Sequence, residues 1–173
     1  MSKKEVVEPK GNALEPHLSV CSALYAEATP TVLPEPEITS HPVDVGLRTE
    51  GAILSELVRR GYALLVPFGV NQRYDLVLDC DGRLLKAQCK TGRLRNGVVQ
   101  FSSQSIQSNT HRTKIRNYAG EVDLFIVYCP DNQRVYVIPA EDVPNCGMHL
   151  RIDPPRNRQS KRVRWTAEYE LPA

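Results

Sequence analysis

Two runs of alternating polarity, Asp75–Cys80 and Arg83–Lys90, are separated only by Asp81-Gly82. Asp-Gly at that spacing predicts a two-residue β-hairpin, because both turn positions need positive φ, which Gly adopts freely and Asp tolerates. Such a turn sets the register: Cys80 pairs with Arg83, and stepping outward from that pair brings Asp75 opposite Gln88. Side chains alternate between faces along a strand. Asp75, Val77 and Asp79 therefore share a face with Leu84, Lys86, Gln88 and Lys90, while Leu76, Leu78, Leu85, Ala87 and Cys89 take the other, more apolar face. The register thus sets an acid, an amide and an ammonium side by side at one end of the hairpin.

Ahead of it, a helical pattern runs from about Asp44 to Arg60 and stops at Gly61, a residue suited to a helix C-terminus. At about 100° per residue, Ile53, Leu54, Leu57 and Val58 form an apolar stripe with Glu50 near its middle. Arg48, Glu56 and Arg59 fall on the opposite side. A carboxylate on a core-facing stripe costs several kcal/mol unless it is paired or binds a cation. Glu50 therefore needs a partner, and the Asp75 end of the hairpin can supply one through a shared metal.

Further along, Tyr62–Val66 reads as a short strand, Pro67–Arg73 as a loop and Val98–Phe101 as a strand. The polar, basic stretch 102–116 reads as a loop or short helix. Val122–Tyr128 and Arg134–Ile138 are apolar strands around a Pro-Asp-Asn-Gln turn, and Trp165–Leu171 suggests a short closing helix. Together these elements predict an α/β fold with a central mixed sheet. At 173 residues one domain is expected. The first 45 residues hold six of the thirteen prolines and no sustained period, so residues 1–43 are expected to form a Pro-rich, acidic, flexible extension and 44–173 the folded domain with its basic C-terminal segment.

Charge and cysteine usage narrow the function classes. Residues 1–45 carry three Lys/Arg against seven Asp/Glu; with a net charge of +2 overall, residues 46–173 hold a balance of +6. Within them, 83–116 contains eight Lys/Arg and no acid, and 151–164 adds six against Asp153 alone. Such stretches suit a phosphate-bearing partner, although charge by itself equally fits a solvated face. Five cysteines without a Cys-x-x-C pair or a nearby histidine argue against both a disulfide framework and a zinc site. They read as small buried hydrophobes in a reducing cytosol. No apolar run approaches the roughly 20 residues of a membrane span, and the N-terminus lacks a secretory apolar stretch, so a cytoplasmic location, in a bacterial or phage context, is expected.

The order helix Glu50, strand Asp75, then Gln88-Cys89-Lys90 on the next strand resembles the PD-(D/E)XK nuclease superfamily. Within it, Arg73-Tyr-Asp-Leu-Val-Leu-Asp79, Gln88-Cys-Lys-Thr91, Glu121-Val-Asp-Leu-Phe-Ile-Val-Tyr-Cys-Pro130, Val135-Tyr-Val-Ile-Pro139 and Asn157-Arg-Gln159 to Trp165 are similar to the homing endonucleases encoded in bacterial group I introns, which carry Gln in place of the usual Glu. The resemblance covers roughly residues 44 to 170. It implies the restriction-endonuclease-like core and Mg²⁺-dependent, site-specific cleavage of double-stranded DNA, with Mn²⁺ as a substitute cation. It also implies a homo-oligomer, dimer or tetramer, because each chain has one site and two strands are cut.

Phosphodiester hydrolysis needs a hard cation to offset charge on phosphate oxygens and acidify a bound water, and Mg²⁺ keeps several waters, so one or two carboxylates suffice. Asp75 is then the central ligand, Glu50 a second or water-mediated one, and the Cys89 backbone carbonyl a third by resemblance only. Lys90 holds or helps deprotonate the attacking water. Gln88 offers an amide oxygen but no charge. Candidate DNA contacts are Gln72, Arg73, Arg93, Arg95, Arg112, Lys114, Arg116, Arg156, Arg158 and Lys161. Asp79, Asp81 and Asp123 read as structural, and His111 as a surface histidine. The rival readings are a Holliday-junction-resolving or restriction-type nuclease and a non-catalytic DNA-binding module of the same fold.

Overall fold

The Asp-Gly hairpin is the organising unit of the computed structural model. Asp81 and Gly82 both take positive φ, 53° and 84°, and Asp79 caps the turn by accepting from the Gly82 N–H at 2.9 Å. The structure describes residues 37–69, 72–109, 112–154 and 162–171, with the side chains of 107–109 and 112 left out. The strands are β1 (Ala63–Leu65), β2 (Leu76–Cys80), β3 (Arg83–Thr91), β4 (Arg93–Arg95), β5 (Val98–Phe101), β6 (Ser105–Asn109), β7 (Arg112–Arg116), β8 (Leu124–Cys129), β9 (Arg134–Pro139) and β10 (Met148–Arg151), preceded by helix α1 (Pro42–Arg59). The register Cys80↔Arg83 through Leu76↔Ala87 is the one the turn predicts. The ladder ends there: the Asp75 N–H donates to the carbonyl of Ala87, the residue already paired with Leu76, at 2.9 Å.

A five-stranded sheet runs β1-β2-β3-β8-β9, antiparallel except for the parallel pair β3 and β8. It is the expected mixed sheet. Strand β8 is an unbroken apolar run because both its faces are covered: Phe125 and Val127 pack on one side, Ile126 on the other. On the Ile126 side lies α1, with Ile53 and Leu57 fully buried against Leu76, Leu78, Ala87 and Cys89. Each such aliphatic side chain contributes about 1.5–3 kcal/mol when removed from water. On the opposite side a three-stranded sheet, β10-β5-β4, supplies Val99, Phe101, Met148 and Leu150 to a second core with Tyr118, Phe125, Tyr136 and Ile138.

Several expectations need correction. The buried line of α1 is Thr49, Ile53 and Leu57, whereas Val58 is 62% exposed. Glu50 therefore flanks the stripe rather than centring it. The reason is Thr49: its hydroxyl shares a 2.7 Å hydrogen bond with Thr91, so a polar residue occupies the core-facing line at no cost in unmade bonds. The described residues of 102–116 contain no helix and are not simply loop; β6 and β7 pair as a hairpin with Ile106 opposite Ile115. The closing helix shrinks to one 3₁₀ turn, Thr166–Glu168. Cys89 and Cys129 are buried as expected, but Cys146 is exposed; Cys21 lies outside the described residues. No described helix is long and apolar enough to cross a membrane.

Candidate active site

The site forms where β2 stops short and β3 runs on. Beyond Asp75 the hairpin partner ends, leaving Lys90 and Thr91 with only β8 beside them. One Asp75 oxygen, Oδ2, accepts from the Cys89 N–H at 2.7 Å and from the Gln88 amide nitrogen. That same amide nitrogen reaches the Cys89 carbonyl at 3.4 Å. A carboxylate oxygen and a backbone carbonyl thus converge on one point, now filled by the positive end of an amide dipole. Rotating the Gln88 amide by half a turn would present its oxygen there instead. Carboxylate, carbonyl and amide oxygens are the hard donors that Mg²⁺ prefers, so the residues fit the cation. Among the described residues no group of three or more His, Cys, Asp or Glu side chains forms a metal cluster; Asp75 and Glu50 are near enough for the charge of one to act on the other.

Electrostatics mark the same place. Burial pushes the Asp75 carboxyl up, opposed by the Cys89 hydrogen bond and the charge of Lys90. Glu50 is likewise raised, first by burial and then by the negative charge of Asp75. Two carboxylates that both resist ionisation are in the situation that a bound divalent cation relieves. Burial lowers Lys90, with Asp75 opposing. Its ammonium donates to the Gln104 carbonyl at 3.2 Å and to the Tyr118 hydroxyl at 3.3 Å, and lies 4.6 Å from the centre of the Tyr118 ring. Burial and the neighbouring carboxylates raise the Cys89 thiol, so it stays neutral and plays no nucleophilic part.

Asp75, Gln88, Cys89 and Lys90 come together, and Glu50 feels the Asp75 charge. The DNA-contact candidates are less uniform. Arg73 is tied inward: it donates to Glu121 at 2.5 Å, Ser105 at 3.0 Å and the Asn117 carbonyl at 2.6 Å, and stacks 4.1 Å above Tyr118. In this arrangement its fork is engaged as a strut against Tyr118, the ring that the Lys90 ammonium also approaches. Arg116 is held by the other oxygen of Glu121. Gln72, Arg93, Arg95 and Lys114 are exposed. Arg112 is placed by its backbone at the start of β7. Arg156, Arg158 and Lys161, like His111, lie outside the described residues. Asp123 accepts from the Lys86 N–H at 2.8 Å, a structural role as read.

Sequence reasoning missed Tyr118, Glu121 and the Thr49–Thr91 bond. No local pattern flags the first two, which meet Arg73 only through long-range folding. The Thr91 hydroxyl could have been found by extending the β3 alternation one residue past Lys90.

A family model described as PD-(D/E)XK endonuclease matches residues 40–172. Among solved structures the bacterial homing endonuclease I-Ssp6803I is similar, with a TM-score of 0.62 and 23% sequence identity over 76% of this chain and 89% of that one. At that identity the likeness concerns the fold. No curated protein matches the chain.

Proposed function

The chain belongs to the PD-(D/E)XK endonuclease family, and on that premise we propose that it hydrolyses phosphodiester bonds of double-stranded DNA at specific sites, with Mg²⁺ as cofactor and Mn²⁺ as a substitute. The observation that carries this reading is the convergence of the Asp75 carboxylate and Cys89 carbonyl on one atom position, beside a half-buried ammonium and a second carboxylate.

A divalent cation bound there supplies charge neutralisation at the phosphate and a more acidic water. Asp75 and the Cys89 carbonyl would hold it, Glu50 would complete the set directly or through water, and Gln88 would add its amide oxygen. Lys90, its proton affinity lowered by burial, orients the attacking water; in its neutral form it can take the water's proton, and in its charged form it faces the developing negative charge. The pinning of Lys90 by Tyr118 and Gln104 removes rotamer freedom that would otherwise be lost at each turnover. One site per chain and two strands to cut favour a homo-oligomer, dimer or tetramer.

The test is cleavage of supercoiled plasmid with and without Mg²⁺. Asp75→Asn and Lys90→Ala should abolish the Mg²⁺-dependent cut while duplex binding in EDTA persists. Near-normal cleavage by either variant would sink the assignment. One observation favours a second reading: Gln88 brings no charge to the cation, which suits a non-catalytic DNA-binding module. A wild-type chain that binds DNA but cuts nothing with Mg²⁺ or Mn²⁺ would establish that reading, and branched against linear substrates would separate a junction-resolving enzyme from a restriction-type one.

A further inference from the structure

The sheet β10-β5-β4 has two unlike faces. Its register sets Arg93 opposite Gln100 and Gln100 opposite His149, and, one step on, Arg95 opposite Val98 and Val98 opposite Arg151. These two rows share the outward face. The row between them, Leu94, Val99 and Leu150, points into the core, where Val99 and Leu150 are fully buried. Between this outward face and the first turn of α1 runs a trough of about 770 Å³ to which Arg93, Arg95, Gln100, His149, Thr91 and Pro42 contribute, and among the described residues no acid lines it. Arg59, Arg60, Arg73, Arg116 and Arg134 are each tied to a carboxylate. Arg93 and Arg95 have no hydrogen bond or ion pair to another described side chain, and the same holds for Gln100 and His149. Four donors and acceptors are therefore held in order on a rigid sheet with nothing within the described residues to satisfy them.

We propose that this outward face docks in the major groove of DNA beside the cut, with Gln100 and His149 reading base edges and Arg93 and Arg95 gripping the flanking phosphates. The proposal rests on the nuclease reading above for its ligand. Three strands at about 4.8 Å spacing place the Arg93–Gln100–His149 row across roughly 10 Å, within a major groove about 12 Å wide. Sheets that enter a groove in this way are a known docking mode. Gln100, on the central strand, can donate to and accept from an adenine edge at once, and a neutral His149 carries one donor and one acceptor. The face is joined to the catalytic strand through Gly92 alone. From Lys90 to Arg93 is three residues, at most about 10 Å of chain, and Gln100 and His149 lie one and two strands beyond Arg93, at most about 10 Å more. The bases read should therefore lie within roughly six base pairs of the scissile phosphate, at about 3.4 Å each.

The test uses the full chain in EDTA, where no cutting occurs, to select bound duplexes from a randomised library. The wild type should enrich particular bases at a short run of positions. Gln100→Ala and His149→Ala should each flatten the preference at one or two of them, by about 5- to 150-fold for each bidentate pair removed, with affinity for random duplex retained. Arg93→Ala with Arg95→Ala should weaken binding to every sequence and lower the salt slope by about two, one per phosphate bound. A wild type without preference, or the same preference in both reading variants, overturns the proposal, as does an unchanged salt slope in the double arginine variant. Plasmid cleavage is scored separately: a chain that fails to cut with Mg²⁺ yet shows these binding changes refutes the catalytic reading and leaves this one standing.

Discussion

Arg73 offers a sharp test because two roles predict opposite results. If it is the strut described above, Arg73→Ala removes the hydrogen bonds to Ser105 at 3.0 Å and to the Asn117 carbonyl at 2.6 Å, and the stacking on Tyr118 at 4.1 Å. Each hydrogen bond contributes about 1 kcal/mol net, and the ring interaction about 0.5–1 kcal/mol. Solvent reaches the Glu121 carboxylate, so nothing is added for that ion pair. The expected loss is about 2.5–3 kcal/mol, which for a domain of this size lowers Tm by roughly 10 °C. Arg73→Lys keeps the charge but not the planar fork, and should recover less than half of that. The assays are thermal unfolding in EDTA and the salt dependence of duplex binding. A strut leaves the salt slope unchanged, whereas a phosphate contact lowers it by about one and barely moves Tm. A lower slope at unchanged Tm would refute the strut and return Arg73 to the DNA interface.

Three further outcomes follow from the site. Glu50→Gln should hold or raise Tm in EDTA near neutral pH while cleavage falls steeply. Because the folded protein holds the Glu50 proton more tightly than the unfolded chain, the penalty is absent below about pH 4 and grows as pH rises through the raised value; a Tm gain in acid but not at neutrality would contradict this. Thr49→Val, which deletes a bond at a side chain only 2% exposed, should cost about 1–2 kcal/mol, and an unchanged Tm would mean that the helix does not depend on Thr91 for its seating. If Lys90 passes the proton, the cleavage rate should rise with pH and level off below the ordinary lysine range of about 10.4, as burial lowers it; the same plateau in Lys90→Arg would remove Lys90 from that step.

Where local chemistry decided the structure, the sequence could be read closely. Asp81-Gly82 dictated a turn, the turn dictated the register, and the register placed Asp75 by Gln88 before any tertiary contact was considered. The strands of the central sheet followed from apolar runs for the same reason. Helix phase was less legible, since a threonine whose hydroxyl is satisfied by Thr91 looks polar in sequence and behaves as core in the fold. The hairpin β6–β7 escaped because its one large apolar pair, Ile106 and Ile115, is exposed, at 66% and 58%, so no buried face imposes an alternation. In the sheet β10-β5-β4 the central strand was legible as Val98–Phe101, but its partners β4 and β10 should not have escaped. Asn96-Gly97, with φ of 51° and 71°, is as strong a hairpin signal as Asp-Gly, and Arg93-Leu94-Arg95 and Met148-His149-Leu150-Arg151 both alternate. Tyr118 and Glu121, which brace Arg73, carried no local sign, because only the folded chain brings them together.

Gly92 sits between the strand that bears Lys90 and the strand that bears Arg93. A methyl group there would stand 3.0 Å from both Val127 and Val99 side chains and 3.3 Å from Cys129, so the chain turns this corner hard against the core with almost no freedom to slide. Chemistry and sequence reading would then share a covalent ruler one residue long at its joint. On such a ruler, evolution or design can exchange which bases are favoured, by altering β4 and β5, without shifting where the backbone is broken relative to them. Variants selected for new targets should therefore keep the same offset between recognised base and cut, and a change in that offset would show that the two parts are coupled more loosely than the corner implies.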